Sequence, residues 1–234
     1  MSIRTSLLSA ATQNRTRATT EGRAVSQVQP ARQPLFNSVE LTGASVPYAR
    51  GEEIYGEGEA AEYIYKVISG SVRSYKVLND GRRQICAFHL PGDVFGLEAG
   101  EQHAFSAEAI CQSVVLLIKR STVAAVAAKD TMVARQLWNI TVAELQKMQD
   151  HVMLLAKNAQ ERVVSFLLQM AQRAPGTTEI ELPMTRQDIA DYLGLTIETI
   201  SRTLTQLETQ ATIALPSSRR VLLRNRGMLD RLNA

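Results

Sequence analysis

The chain has 234 residues, of which 45% are hydrophobic and 21% charged, and its 26 Lys and Arg exceed its 23 Asp and Glu to give a formal net charge of +3. That composition is ordinary for a globular domain pair and admits a polyanionic partner without requiring one. Two cysteines, Cys86 and Cys111, exclude a disulfide framework or closed zinc site, and no apolar run reaches 18 residues, so a membrane partner is excluded and the expected compartment is the cytoplasm.

Residues 1–34 carry Arg4, Arg15, Arg17, Arg23 and Arg32 against one acid, Glu21, with no sustained period. The expectation is a disordered N-terminal arm. Residues 35–120 are expected to form a β-domain. Short strand-forming runs lie at 54–55, 63–68, 72–77, 84–88 and 113–118. Turn signals separate them, among them Ser69-Gly70, Asn79-Asp80-Gly81 and Pro91-Gly92-Asp93. Strands this short and closely spaced predict an antiparallel barrel or roll. Cys86 and Cys111 read as small buried hydrophobes in strands.

The period then changes. From Ser121 to Arg173 there is neither Pro nor Gly. Trp138, Leu145, Met148, Val152 and Leu155 fall on one stripe, with steps of 7, 3, 4 and 3. Residues 121–157 are therefore expected to be a long dimerisation helix whose stripe is covered by a second copy, making a homodimer. A further amphipathic helix runs from Glu161 to Ala171, followed by strand-like residues 179–182. Residues 158–234 are expected to form a winged helix-turn-helix DNA-binding domain.

Thr185-Arg186-Gln187-Asp188 is a helix-capping signature. Ile189, Ala190 and Leu193 give the first helix its inner face, and Gly194 ends it with a positive φ. Thr196 caps a second helix with apolar positions Ile200, Leu204 and Leu207. A small residue, a glycine four later and an apolar residue six after that is the spacing of two helices crossing near 90–120°. The outer face of the second helix presents Ile197, Glu198, Ser201, Arg202 and Thr205. Glu198 and Arg202 sit four apart, which on a free surface makes a weak ion pair. In a major groove the Arg can fork onto guanine O6 and N7 while the Glu accepts from cytosine N4. The expected base readers are Glu198, Ser201, Arg202 and Ile197. Thr185, Arg186, Thr196, Thr199, Arg219 and Arg220 are expected to position phosphates of double-stranded DNA. From Lys157 onward there are ten basic and eight acidic residues, so affinity must lean on base contacts and dimerisation as well as field strength.

The chain resembles the CRP/FNR transcription regulators over roughly residues 40–230. The resemblance lies in Ile54-Tyr55-Gly56-Glu57-Gly58, Val67-Ile68-Ser69-Gly70-Ser71-Val72 and Leu90-Pro91-Gly92-Asp93-Val94-Phe95-Gly96. It continues in Asn158-Ala159-Gln160-Glu161-Arg162-Val163, in Leu182 to Thr196, and in Glu198-Thr199-Ile200-Ser201-Arg202. It implies an α+β chain: an N-terminal β-roll (a cyclic-nucleotide-binding-like jelly roll), a long dimerisation helix and a C-terminal winged helix-turn-helix. It also implies a homodimer on palindromic TTGA…TCAA-type promoter sites, acting as an activator and touching RNA polymerase. No arginine lies between Arg83 and Arg120 to hold a cyclic nucleotide phosphate, and no cysteine precedes Cys86 to build an iron–sulfur cluster. The expectation is the FixK-like branch, with no cofactor and no metal, in a low-oxygen or nitrogen-fixation circuit. The alternative is the same regulator gated by an unidentified small molecule, or by haem held on His89, His103 or His151. No phosphate loop, Ser-His-Asp order or zinc-deaminase signature is present, so an enzyme is not expected.

Overall fold

The computed structural model describes residues 29–36, 39–173 and 178–233. Two antiparallel sheets make the roll. The first orders β1 (Gln29–Phe36), β2 (Val39–Tyr48), β9 (Ser113–Lys119), β4 (Tyr63–Ser69) and β7 (Val94–Phe95) as β1-β2-β9-β4-β7. The second orders β3 (Glu53–Tyr55), β8 (Ser106–Ala109), β5 (Val72–Val77) and β6 (Arg83–His89) as β3-β8-β5-β6. Of the expected arm, residues 1–28 lie outside the described residues, but 29–34 are a strand and not part of a disordered arm. Two prolines argued against a strand there. β1 is the sheet edge, and Pro30 and Pro34 share one parity, so every missing N–H falls on the same side of the ladder.

Two glycines set the turns that matter. Gly70, at φ 80°, packs so tightly that a Cβ would sit 2.3 Å from the Ser113 hydroxyl. That hydroxyl accepts from the Ser71 N–H at 3.0 Å and has the Cys111 carbonyl at 2.8 Å and the Ser71 carbonyl at 3.1 Å as acceptors for its one proton, closing the β4–β5 corner. Between β5 and β6, Gly81 lies at φ 83° and the Leu78 N–H donates to the Arg82 carbonyl at 2.8 Å, as the Asn-Asp-Gly signal predicts.

Inward-facing rings fill the roll. Tyr55 stacks on His103 at 3.6 Å, Tyr65 on Phe95 at 5.2 Å, and His89 on Phe95 at 4.6 Å. His89 is fully enclosed, with Nε2 2.8 Å from the Ser74 hydroxyl. Burial pushes its pKa down to about 4 from the ordinary 6.5, against the opposing pull of Asp93. The unfolded chain therefore takes the proton first, and stability is lost as pH falls from about 6.5 toward 4. Between pH 7 and pH 5 the wild type should lose about 2 kcal/mol more than a His89→Gln variant, read from urea midpoints. Parallel pH dependence of the two proteins would refute this.

The stretch after the roll is not one helix. α1 (Arg120–Ala127) lays Val123 on the first sheet, and α2 (Thr131–Leu155) starts afresh where the Asp130 carboxylate accepts from the Met132 N–H at 2.8 Å. A competing N-cap inside a proline-free run ended the helix early. α3 (Ala159–Gln172) begins at a capping box between Asn158 and Glu161. It is the spine of the second core, where Phe166 and Leu167 meet residues from α4 (Arg186–Leu193), α5 (Ile197–Thr209) and α6 (Arg226–Asn233). β10 (Glu179–Glu181), β11 (Ile213–Ser217) and β12 (Arg220–Leu223) form a three-stranded sheet ordered β10-β12-β11, to which the strand-like residues after α3 contribute an outer strand.

Candidate nucleic-acid interface

The exposed face of α5 is built from its caps inward. Thr196 accepts from the Thr199 N–H at 3.2 Å, which starts the helix. Gly194 ends α4 in the left-handed region at φ 61°, ψ 39°. Ala190, Leu193, Ile200, Leu204 and Leu207 are buried between the two helices, as the spacing predicts. What remains outside is Ile197, Glu198, Arg202 and Thr205, with Ser201 half-buried beside them. Ser201, Arg202 and Thr205 line one open groove together with Gln206 and Thr209. Those last two lie four residues beyond Arg202 and Thr205, one helical step further along the same face. Among the described residues neither Glu198 nor Arg202 forms an ion pair within the chain.

The phosphate candidates divide. Arg186 and Thr199 are half-buried at the starts of their helices, and Arg219 lies at the turn between β11 and β12. Thr185 has no group to spare: its N–H and hydroxyl both donate to Asp188, at 2.9 and 2.7 Å, and the hydroxyl accepts from the Asp188 N–H. These bonds place Thr185 in the cap of α4. Arg220 is exposed, and its Nε pairs at 2.5 Å with Glu179, diagonally across the β10–β12 ladder.

The two halves of the chain meet through buried charge, which the sequence did not signal. Asp188, almost wholly buried, takes Arg73 and Arg83 of the roll on one oxygen at 2.7 Å each. Arg83 continues onto Asp191 at 2.8 Å, and Arg73 back onto Glu108 at 2.6 Å. Below them, Phe88 lies 5.1 Å from the Tyr192 ring and edge-on to Phe166 at 6.3 Å. At the hinge, Arg162 donates to the carbonyls of Leu155, Lys157 and Leu193, at 2.7, 2.8 and 2.9 Å. It thus joins the end of α2 to the end of α4.

α2 leaves its stripe bare. Trp138, Leu145, Met148 and Val152 are all more than half exposed, with Leu155 half-buried at the lower end. Met132, Val142 and Met153 are exposed elsewhere on the same helix.

The interior of the roll does not fit a cyclic nucleotide. No arginine lies between Arg83 and Arg120 in the sequence, and Arg120 itself is spent on the carbonyls of Ala61, Glu98 and Gly100; the Glu98 carboxylate is engaged by His103 at 3.3 Å, and stacked rings occupy the space between the sheets. A Cβ on Gly96 would already stand 2.6 Å from Tyr65. A cavity of about 360 Å³ does open elsewhere, between β6, α2 and α3, lined by Cys86, His89, Lys147, Met148, Arg173 and Tyr192 among others. Among the described residues no group of three or more His, Cys, Asp or Glu is placed to hold a metal ion, and no helix is long and apolar enough to cross a membrane.

Comparison with known proteins agrees with this architecture. Residues 45–130 match the cyclic nucleotide-binding domain and residues 161–232 the Crp-like helix-turn-helix domain. The chain is 54% identical over 202 residues to the nitrogen fixation regulation protein FixK of Azorhizobium caulinodans, covering 84% of this chain and 82% of that one. It is 41% identical to FixK of Rhizobium meliloti, over 74% of this chain and 80% of the relative. The structure of FixK2 from Bradyrhizobium japonicum superposes with a TM-score of 0.80 at 52% identity, over 83% of this chain and 98% of that one.

Proposed function

Because the chain belongs to the CRP/FNR family of transcription regulators, with the FixK proteins among its relatives, we propose that it binds palindromic TTGA…TCAA-type promoter sites as a homodimer. In this reading it activates transcription with RNA polymerase in a low-oxygen or nitrogen-fixation circuit, and needs neither cyclic nucleotide nor iron–sulfur cluster to do so. The observation that carries it is the pair Glu198 and Arg202: exposed on the outer face of a capped, buried-backed helix, and unpaired within the chain among the described residues. A carboxylate aimed at DNA is repelled by phosphates, so its place on that face favours base reading over general adhesion. An arginine forked on guanine and a glutamate accepting from cytosine would account for the one G·C pair of each half-site, with Ser201 and Ile197 against the neighbouring thymines.

The test is a band shift on a TTGA…TCAA duplex. Arg202→Ala should cost about 1–3 kcal/mol, and the loss should vanish on a duplex whose G·C pairs are replaced. Glu198→Ala should weaken discrimination at the same position. Unchanged binding by both variants would refute the assignment.

The cavity beside Cys86 and His89 supports a second reading, the same regulator gated by a small molecule. Ligand-free purified protein decides between them: tight specific binding favours the first, and binding only after an effector is added favours the second.

A further inference from the structure

We infer that Arg73 and Arg83 are positioning residues for DNA reading: they bolt the first helix of the helix-turn-helix to the β-roll and so fix where each reading helix stands relative to its dimer mate. The inference rests on the dimeric reading proposed above. It starts from Asp188, whose two oxygens have separate tasks. One completes the cap of α4 with Thr185, and the other receives both arginines. The α4 N-terminus is thus built partly from the roll. The anchor on that side is stiff, because Arg73 stands opposite Glu108 in the β5–β8 register and pairs with it. Arg83 lies over the Tyr75 ring at 5.8 Å and reaches Asp191, one helical turn along α4, through two nitrogens.

Charge is used here where apolar packing would have sufficed for cohesion. The difference is directional: an arginine fork onto fixed carboxylates defines an angle, whereas a greasy contact permits sliding. Asp188 is also nearly sealed from water, so salt screens these contacts little and an unpartnered carboxylate there is costly. The other end of α4 is held by Arg162, which ties the Leu193 carbonyl to the end of α2. With both ends fixed, α5 inherits a set orientation relative to the exposed α2 stripe. A second reader raises affinity only if it is held where the second half-site lies. Loosening the bolt should therefore damage two-site binding and spare one-site binding.

The experiment measures fluorescence anisotropy of the full-length dimer on two duplexes, one with both half-sites and one with a single half-site. The double variant Arg73→Ala/Arg83→Ala is expected to bind the two-site duplex at least about tenfold more weakly than wild type and the single-site duplex within about twofold. Its preference for the native spacing over a duplex lengthened by one base pair should shrink as well. Equal weakening on both duplexes would overturn the inference, since it would mean the reading helix itself had been damaged. So would unchanged or tighter two-site binding. Wild-type protein that binds the two duplexes equally would overturn the dimeric reading and the inference with it, and one that binds neither would overturn the proposed target site and with it the inference. Should the double variant not fold, Arg83→Lys keeps the charge, loses the fork onto Asp191, and is expected to lose about threefold on the two-site duplex alone.

Discussion

Glutamate at Leu145 and Val152 together is expected to leave the protein monomeric and to weaken its hold on a two-half-site duplex by about 10²–10⁴-fold. Both side chains are more than half exposed, one heptad apart on α2, with Met148 between them. Among the described residues this surface has nothing to lie against, and an exposed apolar stripe of that length is what the dimeric reading requires of its interface. Two carboxylates facing two more across a dimer axis would be desolvated and mutually repelled. The energetic loss comes through linkage: with one reader per particle, the second half-site no longer benefits from the proximity of the first. Sedimentation velocity reads the assembly state and anisotropy the affinity. A variant that remains dimeric would show that the stripe is not the seam, and one that becomes monomeric yet keeps its affinity would show that dimerisation is not used for DNA.

Phe166→Ala should destabilise the fold by about 3–5 kcal/mol, which for a chain of this size lowers Tm by roughly 6–20 °C. Phe166 is fully buried at the middle of α3. Its ring meets Phe88 from the roll and Tyr192 from α4, so the vacated volume would open at the junction of three elements that cannot all close on it. Urea denaturation measures the change. A loss below 1 kcal/mol would mean that the junction relaxes freely, which would also weaken the case for a stiff join between roll and reading helices.

The helix-turn-helix was readable because its signals are local. Thr185, Gly194 and Thr196 each declare a helix end within four residues, and Ile200, Leu204 and Leu207 declare the buried face by period alone. The roll was legible only in part. β4, β5, β6 and β9 are rich in branched and aromatic residues and stand out, whereas β8 is Ser-Ala-Glu-Ala and β2 carries Gly43 and Pro47. Those two strands owe their state to their neighbours: β2 pairs along β9, and β8 lies between β3 and β5. The ion network was invisible for the same reason in stronger form. Asp188 announces itself as a capping residue, and nothing near it in sequence reveals partners 105 and 115 residues away. Arg220 shows the same limit: its charge suits a phosphate, and the Glu179 carboxylate that its Nε meets lies 41 residues away in the sequence.

The three carbonyl bonds of Arg162 have a mechanical meaning. Helix ends usually fray, and a linker between domains usually absorbs rotation. Here one planar guanidinium bridges the last turn of α2, the first residues after it and the last turn of α4. The joint therefore behaves as a crank and not as a string. In the dimeric reading proposed above, a twist imposed on α2 by its packing would be delivered to α5 with little slack, and the spacing of half-sites that the protein accepts would be set along α2.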